Sequence, residues 1–401
     1  MSTSLLYHAL NIRGVEYQAT KYIGNRTILK AEVRADYGSC PNCESKNLIF
    51  KGRKRRFFHM PPLGRKRCLL ELRMHRFYCK NCGNLFWPRL NFMDGNKRYT
   101  RAFGLTVLEL LQYATIKDVA NYLNVSWDLV KEIHKQKLKA TYRRQPFKDL
   151  IYLGIDEFSI RKGHNYMTIF MNLQTGRILH AVEGRAADNV APFMKILSQK
   201  AKNLKAVAID MSQSYVKAIQ ENLAHVDIVF DRYHIAALAN SATDELRREI
   251  QTELEKEGKS YLKASKYLFL RNYKNLSEGG QTRLQSLLDV NSPLFFMYNM
   301  KVLLRYFWMF SSADRARDFL YSWCQDAIDS KIGPLVRLGN TIDKFKDQIL
   351  NYFKHRITNA ATEGTNNKIK TLKRQAYGYR DMEYFKLRLY HLHRTRYSFA
   401  G

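Results

Sequence analysis

The sequence predicts a multidomain α+β protein, on three observations. Two Cys-x-x-Cys pairs stand in the first hundred residues, strand-length and helix-length apolar segments alternate between about 148 and 235, and helical periodicity alone fills most of the remaining chain. At 401 residues the chain has room for several cores, and 45% hydrophobic with 26% charged residues is the balance of a folded protein. The pattern divides it into segments 1–92, 93–147, 148–235, 236–353 and 354–401. The charge is unusual: 67 Lys and Arg against 36 Asp and Glu leave +31, a field that attracts polyanions and costs self-repulsion without them. Nucleic acid is therefore the first partner expected. A membrane is not, because no unbroken apolar run approaches the roughly 18 residues that a span needs. The most apolar segment, Phe295 to Phe310, is interrupted by Asn299, Lys301 and Arg305 and reads as a buried helix. Met1 to Leu10 lacks a basic start, a sustained apolar region and a small-residue cleavage site. A reducing cytoplasm is expected, and the six cysteines read as metal ligands or free thiols before disulfides.

The pairs are Cys40-Pro41-Asn42-Cys43 and Cys79-Lys80-Asn81-Cys82, with residues 44–78 between them. Each pair can form a tight knuckle presenting two thiolates, and two knuckles complete a tetrahedral Zn²⁺ site. Gly83 follows the second pair, where a backbone without Cβ helps close the turn. Leu70, Leu72 and Met74 alternate with Glu71, Arg73 and His75, a strand running into the second knuckle, so the module reads as a zinc ribbon rather than four unrelated buried thiols. Cys68 and Cys324 read as packing residues. The linker carries Lys51, Arg53, Lys54, Arg55, Arg56, Arg65, Lys66 and Arg67 with Phe57 and Phe58 among them. It reads as a basic loop that grips phosphates, and equally as a solvated charge run.

From about residue 97 the period is helical. Val119, Ala120 and Leu123 would bury one helix, Val125 would anchor a turn, Ser126 would cap a second helix, and Val130 and Ile133 would hold it in place. That is a helix-turn-helix pattern, with Trp127, Asp128, Lys131 and Lys135 on outer positions able to meet a DNA groove. Two packed helices without a DNA role remain the alternative.

Beyond a boundary at Pro146, Ile151 to Asp156 reads as a buried strand ending in an acid. Strands Tyr166 to Leu173 and Ile178 to Val182, a helix from Asp188, a strand Ala206 to Asp210, a helix Tyr215 to Leu223 and a strand Val226 to Phe230 follow. Three strands, a helix, a strand, a helix and a strand are the order of an RNase H-like mixed sheet. From Ile235 to Phe353 the pattern implies an all-helical segment with its own core, in which Trp308 is a packing residue. Thr358 to Arg396 reads as a basic amphipathic helix.

Asp156 and Asp210 end neighbouring predicted strands, where α/β sheets form their sites. Glu363 shares a helix face with Asn367, Lys370 and Arg374, placing a third carboxylate beside groups able to hold phosphates. Three convergent carboxylates need a cation, and oxygen ligands suit Mg²⁺ or Mn²⁺, ions that promote phosphoryl displacement. Glu157 would face away from Asp156 if the strand persists. Asp231 and His234, in Asp231-Arg232-Tyr233-His234, read either as supports for these acids and DNA-positioning groups or as a helix cap.

These residues together resemble the ISL3 family of insertion-sequence transposases over nearly the whole chain. The resemblance rests on the paired cysteines, Gly154-Ile155-Asp156-Glu157 with Arg161-Lys162-Gly163-His164-Asn165-Tyr166, and Ala208-Ile209-Asp210-Met211-Ser212. It continues through Asp231 to His234, Thr358-Asn359, Glu363-Gly364-Thr365-Asn366-Asn367-Lys368-Ile369-Lys370 and Ala376-Tyr377-Gly378-Tyr379. It implies metal-dependent cleavage at each element end by an Asp-Asp-Glu centre, then attack of the freed 3′-hydroxyl on target DNA. It also implies that the helical segment is an insertion into the RNase H-like core between Asp210 and Glu363, and that ribbon and helix-turn-helix recognise terminal inverted repeats. At least two protomers would pair the ends, in a bacterial cytoplasm at the nucleoid. Two competing readings are a structure-selective nuclease with the same acids, and a DNA-binding regulator whose core is not catalytic.

Overall fold

The computed structural model describes residues 5–34, 38–143, 147–161 and 165–393, so the boundary at Pro146, the Lys162-Gly163-His164 part of the motif and the last residues of the final basic stretch lie outside the described residues. The chain divides between residues 143 and 144 into two compact units.

The first unit opens with α1 (Leu5–His8) and a five-stranded sheet of β1 (Val15–Ile23), β2 (Arg26–Val33), β3 (Leu48–Leu63), β4 (Lys66–Cys79) and β5 (Leu85–Phe86), in the order β1-β2-β4-β3 with β5 beside β4. β2 runs parallel to β4 and the other pairs are antiparallel. Alternation puts Leu29, Ala31, Phe58, Met60, Leu70, Leu72 and Met74 on one buried face. The basic linker is therefore not a loop. Most of it is β3, paired along β4, and its cations separate by parity. Arg53 and Arg55 are exposed, whereas Lys54 and Arg56 lie half-buried on the Phe58 side, the Arg56 guanidinium 5.1 Å from the Phe58 ring centre. The Lys54 ammonium sits 3.8 Å from the Trp87 ring centre, and Arg56 donates to the carbonyls of Asn96 and Lys97 at 3.1 and 3.2 Å.

Three helices come next, α2 (Arg101–Leu110), α3 (Ile116–Leu123) and α4 (Trp127–Thr141). Thr115 and Asp118 cap the start of α3 reciprocally, Asn124 ends it at φ 50°, and Ser126 accepts from Leu129 N–H to start α4. Phe103 and Val107 of α2 pack with Val119, Ala120, Leu123, Val130 and Ile133, the residues that the sequence assigns to a helix-turn-helix interior.

The second unit is built on β6 (Tyr152–Arg161), β7 (Asn165–Asn172), β8 (Ile178–Glu183), α5 (Ala187–Lys200), β9 (Ala206–Ile209), α6 (Gln213–Asn222) and β10 (Asp227–Phe230). Its strands lie in the order β10-β9-β6-β7-β8, antiparallel from β6 to β8 and parallel from β6 through β9 to β10. Then come α7 (Arg232–Lys256), α8 (Lys266–Leu270), α9 (Glu278–Asp289), α10 (Ser292–Tyr306), α11 (Ala313–Asp329), α12 (Gly333–Lys344) and α13 (Lys346–His355). These helices do not keep a core of their own: one continuous apolar cluster runs from Leu153 and Val207 of the sheet through Leu246 and Met297 to Phe353. Nor is α10 buried all round, since Phe295, Phe296, Leu303 and Tyr306 are exposed while Leu294, Met297 and Leu304 are buried. Trp308 packs on Phe307, Tyr352 and Phe353 as a core residue.

The last basic stretch is two helices, α14 (Ala360–Gln375) and α15 (Met382–Tyr390). Tyr377 and Gly378 take left-handed φ of 51° and 95° between them, which a continuous helix cannot accommodate. Both pack through Ile369, Leu372, Phe385 and Leu389 on the β6–β8 face opposite α5 and α6.

Candidate metal centre and acidic site

In the ribbon the two knuckles share one geometry. Cys40 N–H donates to Ser45 and Glu44 N–H to Cys40, as Cys79 N–H donates to Asn84 and Gly83 N–H to Cys79, at 2.8–3.0 Å. The residue after each second cysteine has positive φ, 61° at Glu44 and 70° at Gly83, the turn that brings two sulfurs to one side. All four sulfurs lie within 4.8 Å of one another, with Cys40 to Cys82 and Cys43 to Cys79 at 3.5 Å. A tetrahedral Zn²⁺ with bonds of about 2.3 Å spaces its sulfurs by about 3.8 Å, so the cluster fits. Against the upward push of burial, the N–H groups of Asn42 and Cys43 and thiols of Cys82 and Cys43 hold the Cys40 thiol down to about 6. Cys68 and Cys324 are buried packing residues, their thiols pushed up to about 11 and 12 by burial.

The second site grows from sheet register. β6 and β9 are parallel with Leu153 opposite Val207 and Gly154 opposite Ala208. Two residues further, Asp156 and Asp210 fall side by side, on the face turned away from Ile155 and Ile209, which point into the α5/α6 core. β9 and β10 are parallel with Ile209 opposite Phe230, so Asp231 follows in the same row. Asp156 is mid-strand, not terminal, because β6 continues against β7 to Arg161; what stops at this level is β9. Glu157 turns to the other face, where Tyr215 Oη donates to it at 2.7 Å.

α14 packs on β6 at Asp156. It approaches so closely that a Cβ on Gly154 would lie 2.7 Å from Thr362 Oγ1 and 3.0 Å from Asn359 Oδ1. Asn359 donates to the Ile155 carbonyl at 3.2 Å, and Asn366 donates to Asp156 Oδ2 at 2.7 Å. Burial first, then the charge of Asp210, pushes the Asp156 carboxyl up to about 7. His234 Nε2 lies 2.8 Å from Asp210 Oδ1 and is raised by that contact, while Asp231 is buried, raised by desolvation, and accepts from Tyr233 N–H at the start of α7. Asp231 thus caps α7 and, in the same row of the sheet, stands beside Asp210. Asn366 Oδ1 is buried without a hydrogen-bond donor.

Glu363 stands one turn before Asn366 on α14 and is exposed, as are Asn367, Lys370 and Arg374 of its row. Among the described residues, the four cysteines are the one set in which three or more thiol, imidazole or carboxylate ligand atoms lie within 4.8 Å of one another; the three acids stand further apart. The residue that touches Asp156 is Asn366, which the sequence pattern passes over for Asn367. An open groove lined by Glu157, Ser159, Arg161, Asn366, Lys370 and Lys373 adjoins the site. Of the remaining predicted DNA contacts, Arg65 and Lys66 are exposed at the β3–β4 tip and Arg67 is half-buried at its base. Trp127 is 55% exposed at the start of α4 with the Lys131 ammonium 5.9 Å from its ring, and Lys135 is half-buried one turn on.

Comparison with known proteins places names on three stretches. A family model described as transposase matches residues 153–389, one described as the zinc-finger of transposases IS204, IS1001, IS1096 and IS1165 matches 36–82, and one described as the helix-turn-helix domain of transposase family ISL3 matches 88–136. The transposase for insertion sequence element IS1001 of Bordetella parapertussis is 31% identical over 332 residues, 82% of each chain. The transposase for IS1557 of Mycobacterium tuberculosis is 24% identical over 308 residues, 70% of this chain and 69% of that one. Among the described residues no helix is long and apolar enough to cross a membrane.

Proposed function

The chain belongs to the ISL3 family of transposases, a DNA-binding enzyme with a zinc ribbon and a helix-turn-helix, and on that premise we propose which residues carry out its chemistry. Asp156, Asp210 and Glu363 hold Mg²⁺ or Mn²⁺ in an RNase H-like core formed by 148–235 and 354–401, with 236–353 inserted between the second acid and the third. The observation that carries this reading is the register of β6 and β9, which sets Asp156 beside Asp210 under the helix that bears Glu363. Sheet order β10-β9-β6-β7-β8, with three antiparallel strands followed by two parallel ones, supports the fold assignment.

The donors fit a hard divalent cation. All three are carboxylates, hard oxygen ligands, and burial with the charge of Asp210 holds Asp156 toward its neutral form until positive charge arrives. Bound there, Mg²⁺ supplies the charge that activates an attacking oxygen and stabilises a leaving one. Asn366 orients Asp156, His234 and Asp231 flank Asp210, and Lys370 and Arg374 hold DNA phosphates. Water attacks a phosphodiester at the element end, breaking its bond to the 3′ oxygen and leaving a 3′-hydroxyl and a 5′-phosphate. That hydroxyl then attacks a target phosphodiester, forming one phosphate ester as another breaks, so no external energy source is needed. The ribbon (1–92) and helix-turn-helix (93–147) bind terminal inverted repeats, and two or more protomers pair the ends at the nucleoid of the cytoplasm.

The test is strand transfer with duplexes ending in the sequences that flank the gene. Asp156→Asn, Asp210→Asn and Glu363→Gln are each expected to lower cleavage at least about 1,000-fold in Mg²⁺ while binding DNA within about twofold of wild type, because each removes charge but little volume. Products of hydrolysis alone would make the protein a nuclease. Undiminished cleavage by the three variants would remove the assigned centre.

A further inference from the structure

The first unit carries a basic pocket that gathers Arg65 and Arg67, two of the cations of the basic linker, into one place. Because β2 and β4 run parallel with Arg26 opposite Arg67, two hairpin tips lie side by side, Gly24-Asn25 closing β1–β2 and Gly64-Arg65 closing β3–β4. Both tip glycines take positive φ, 54° and 59°. Between the tips and the end of α3 opens a pocket lined by Asn25, His59, Arg65, Arg67 and Asn124 over an apolar floor that includes Phe103.

Its charge lacks compensation. Among the described residues Arg26, Arg65 and Arg67 have no carboxylate partner. Arg67 is half-buried, and its Nε–H is shut from water without an acceptor. Its other contact is neutral: Arg67 Nη2 faces His59 Nδ1 at 3.3 Å, and burial together with the Arg67 charge holds that imidazole down to about 4. An uncharged His59 accepting at Nδ1 carries its proton on Nε2. A half-buried guanidinium with a spare donor shut from water and no counter-ion is one that an anion would complete.

We propose that this pocket binds one phosphodiester of the DNA backbone, clamping the duplex next to the helix-turn-helix; the proposal rests on the reading that the helix-turn-helix binds DNA. The placement argues for a backbone phosphate. Asn124, in the pocket wall, is the left-handed residue that ends α3, two positions before the Ser126 cap of α4. In a helix-turn-helix the second helix enters the major groove while its surroundings meet the sugar-phosphate backbone, so a duplex seated on α4 carries phosphates past this turn. The twin tips would then grip without reading bases, adding affinity equally to every sequence.

The experiment uses the full chain, the element-end duplex and an unrelated duplex across a salt series. Arg67→Met keeps the packing stem and removes the charge. It should weaken both duplexes alike by about tenfold and make the slope of log K against log salt shallower by about 1, with zinc content and melting temperature unchanged. A second measurement covers the case in which the variant misfolds: methylphosphonates are placed singly along the wild-type protein's duplex. Neutralising one particular phosphate should weaken wild type about tenfold and leave Arg67→Met indifferent. If wild type binds its ends and no phosphate behaves this way, the pocket is no clamp, while the DNA-binding reading stands. Stabilisation of wild type by millimolar inorganic phosphate, without any such interference in DNA, would likewise overturn the proposal in favour of a small-anion site. Failure of wild type to bind either duplex would sink both readings.

Discussion

At Asp156 two pressures and two restraints meet. Burial and the neighbouring Asp210 push the carboxyl up to about 7, while the Glu157 N–H holds one oxygen at 2.8 Å and the Asn366 side chain the other at 2.7 Å. Removing the Asn366 restraint should leave the acid in place but badly aimed. Asn366→Ala is expected to lower cleavage about 10–100-fold and to raise the Mg²⁺ concentration needed for half-maximal rate, while Asn367→Ala stays within about twofold. Single-turnover cleavage over a Mg²⁺ titration reads both quantities, and an unchanged Mg²⁺ dependence in Asn366→Ala would reduce the asparagine to packing. The sequence points to Asn367 because it lies four residues after Glu363. The buried row of α14 is instead Thr362, Thr365, Asn366, Ile369 and Leu372, which only contact with β6 selects.

At the scale of elements, α8 shows how a short helix is held inside the helical segment. Lys301 of α10 is 5% exposed and donates its ammonium to the carbonyls of Phe269 and Leu270 at the end of α8, satisfying groups that a helix terminus leaves open. Burial first, and the charge of Arg305 second, lower its value from 10.5 to about 8. Between these values the unfolded chain holds a proton that the folded chain has released, so stability rises with pH across the window and the penalty is complete below it. Lys301→Met has no such slope. Urea midpoints from pH 7.5 to 10.5 should show wild type gaining on the order of 2–3 kcal/mol relative to the variant, and parallel curves would contradict the burial argument.

At the scale of the molecule, each unit has its own apolar clusters, and the only compact metal-ligand set among the described residues belongs to the first. Four thiolates within 4.8 Å repel one another without a cation, so zinc removal should lower the first unit's melting temperature by roughly ten degrees or more and leave the second unit's unchanged. The second unit should melt as one transition, because its sheet and helical segment share one core. Calorimetry with and without a chelator measures both; a separate melt of residues 236–353 would refute the shared core.

What the sequence alone determined was local. Cysteine spacing specified a zinc site, residues 119–133 specified two packed helices and the Ser126 cap, and runs of apolar residues specified the strands from 152 to 230 in order, because ligand reach, helical period and pleat act over a few residues. Tertiary structure alone turned the basic linker into a strand, set β2 with β1 on the far side of β4 from it, merged the helical segment into the sheet's core and broke the last stretch into two helices. It also set Arg26 beside Arg67 and Asn366 against Asp156. Those outcomes depend on pairings between residues tens to hundreds of positions apart, whose energies are decided by which buried surfaces meet and are not written in any one stretch of chain.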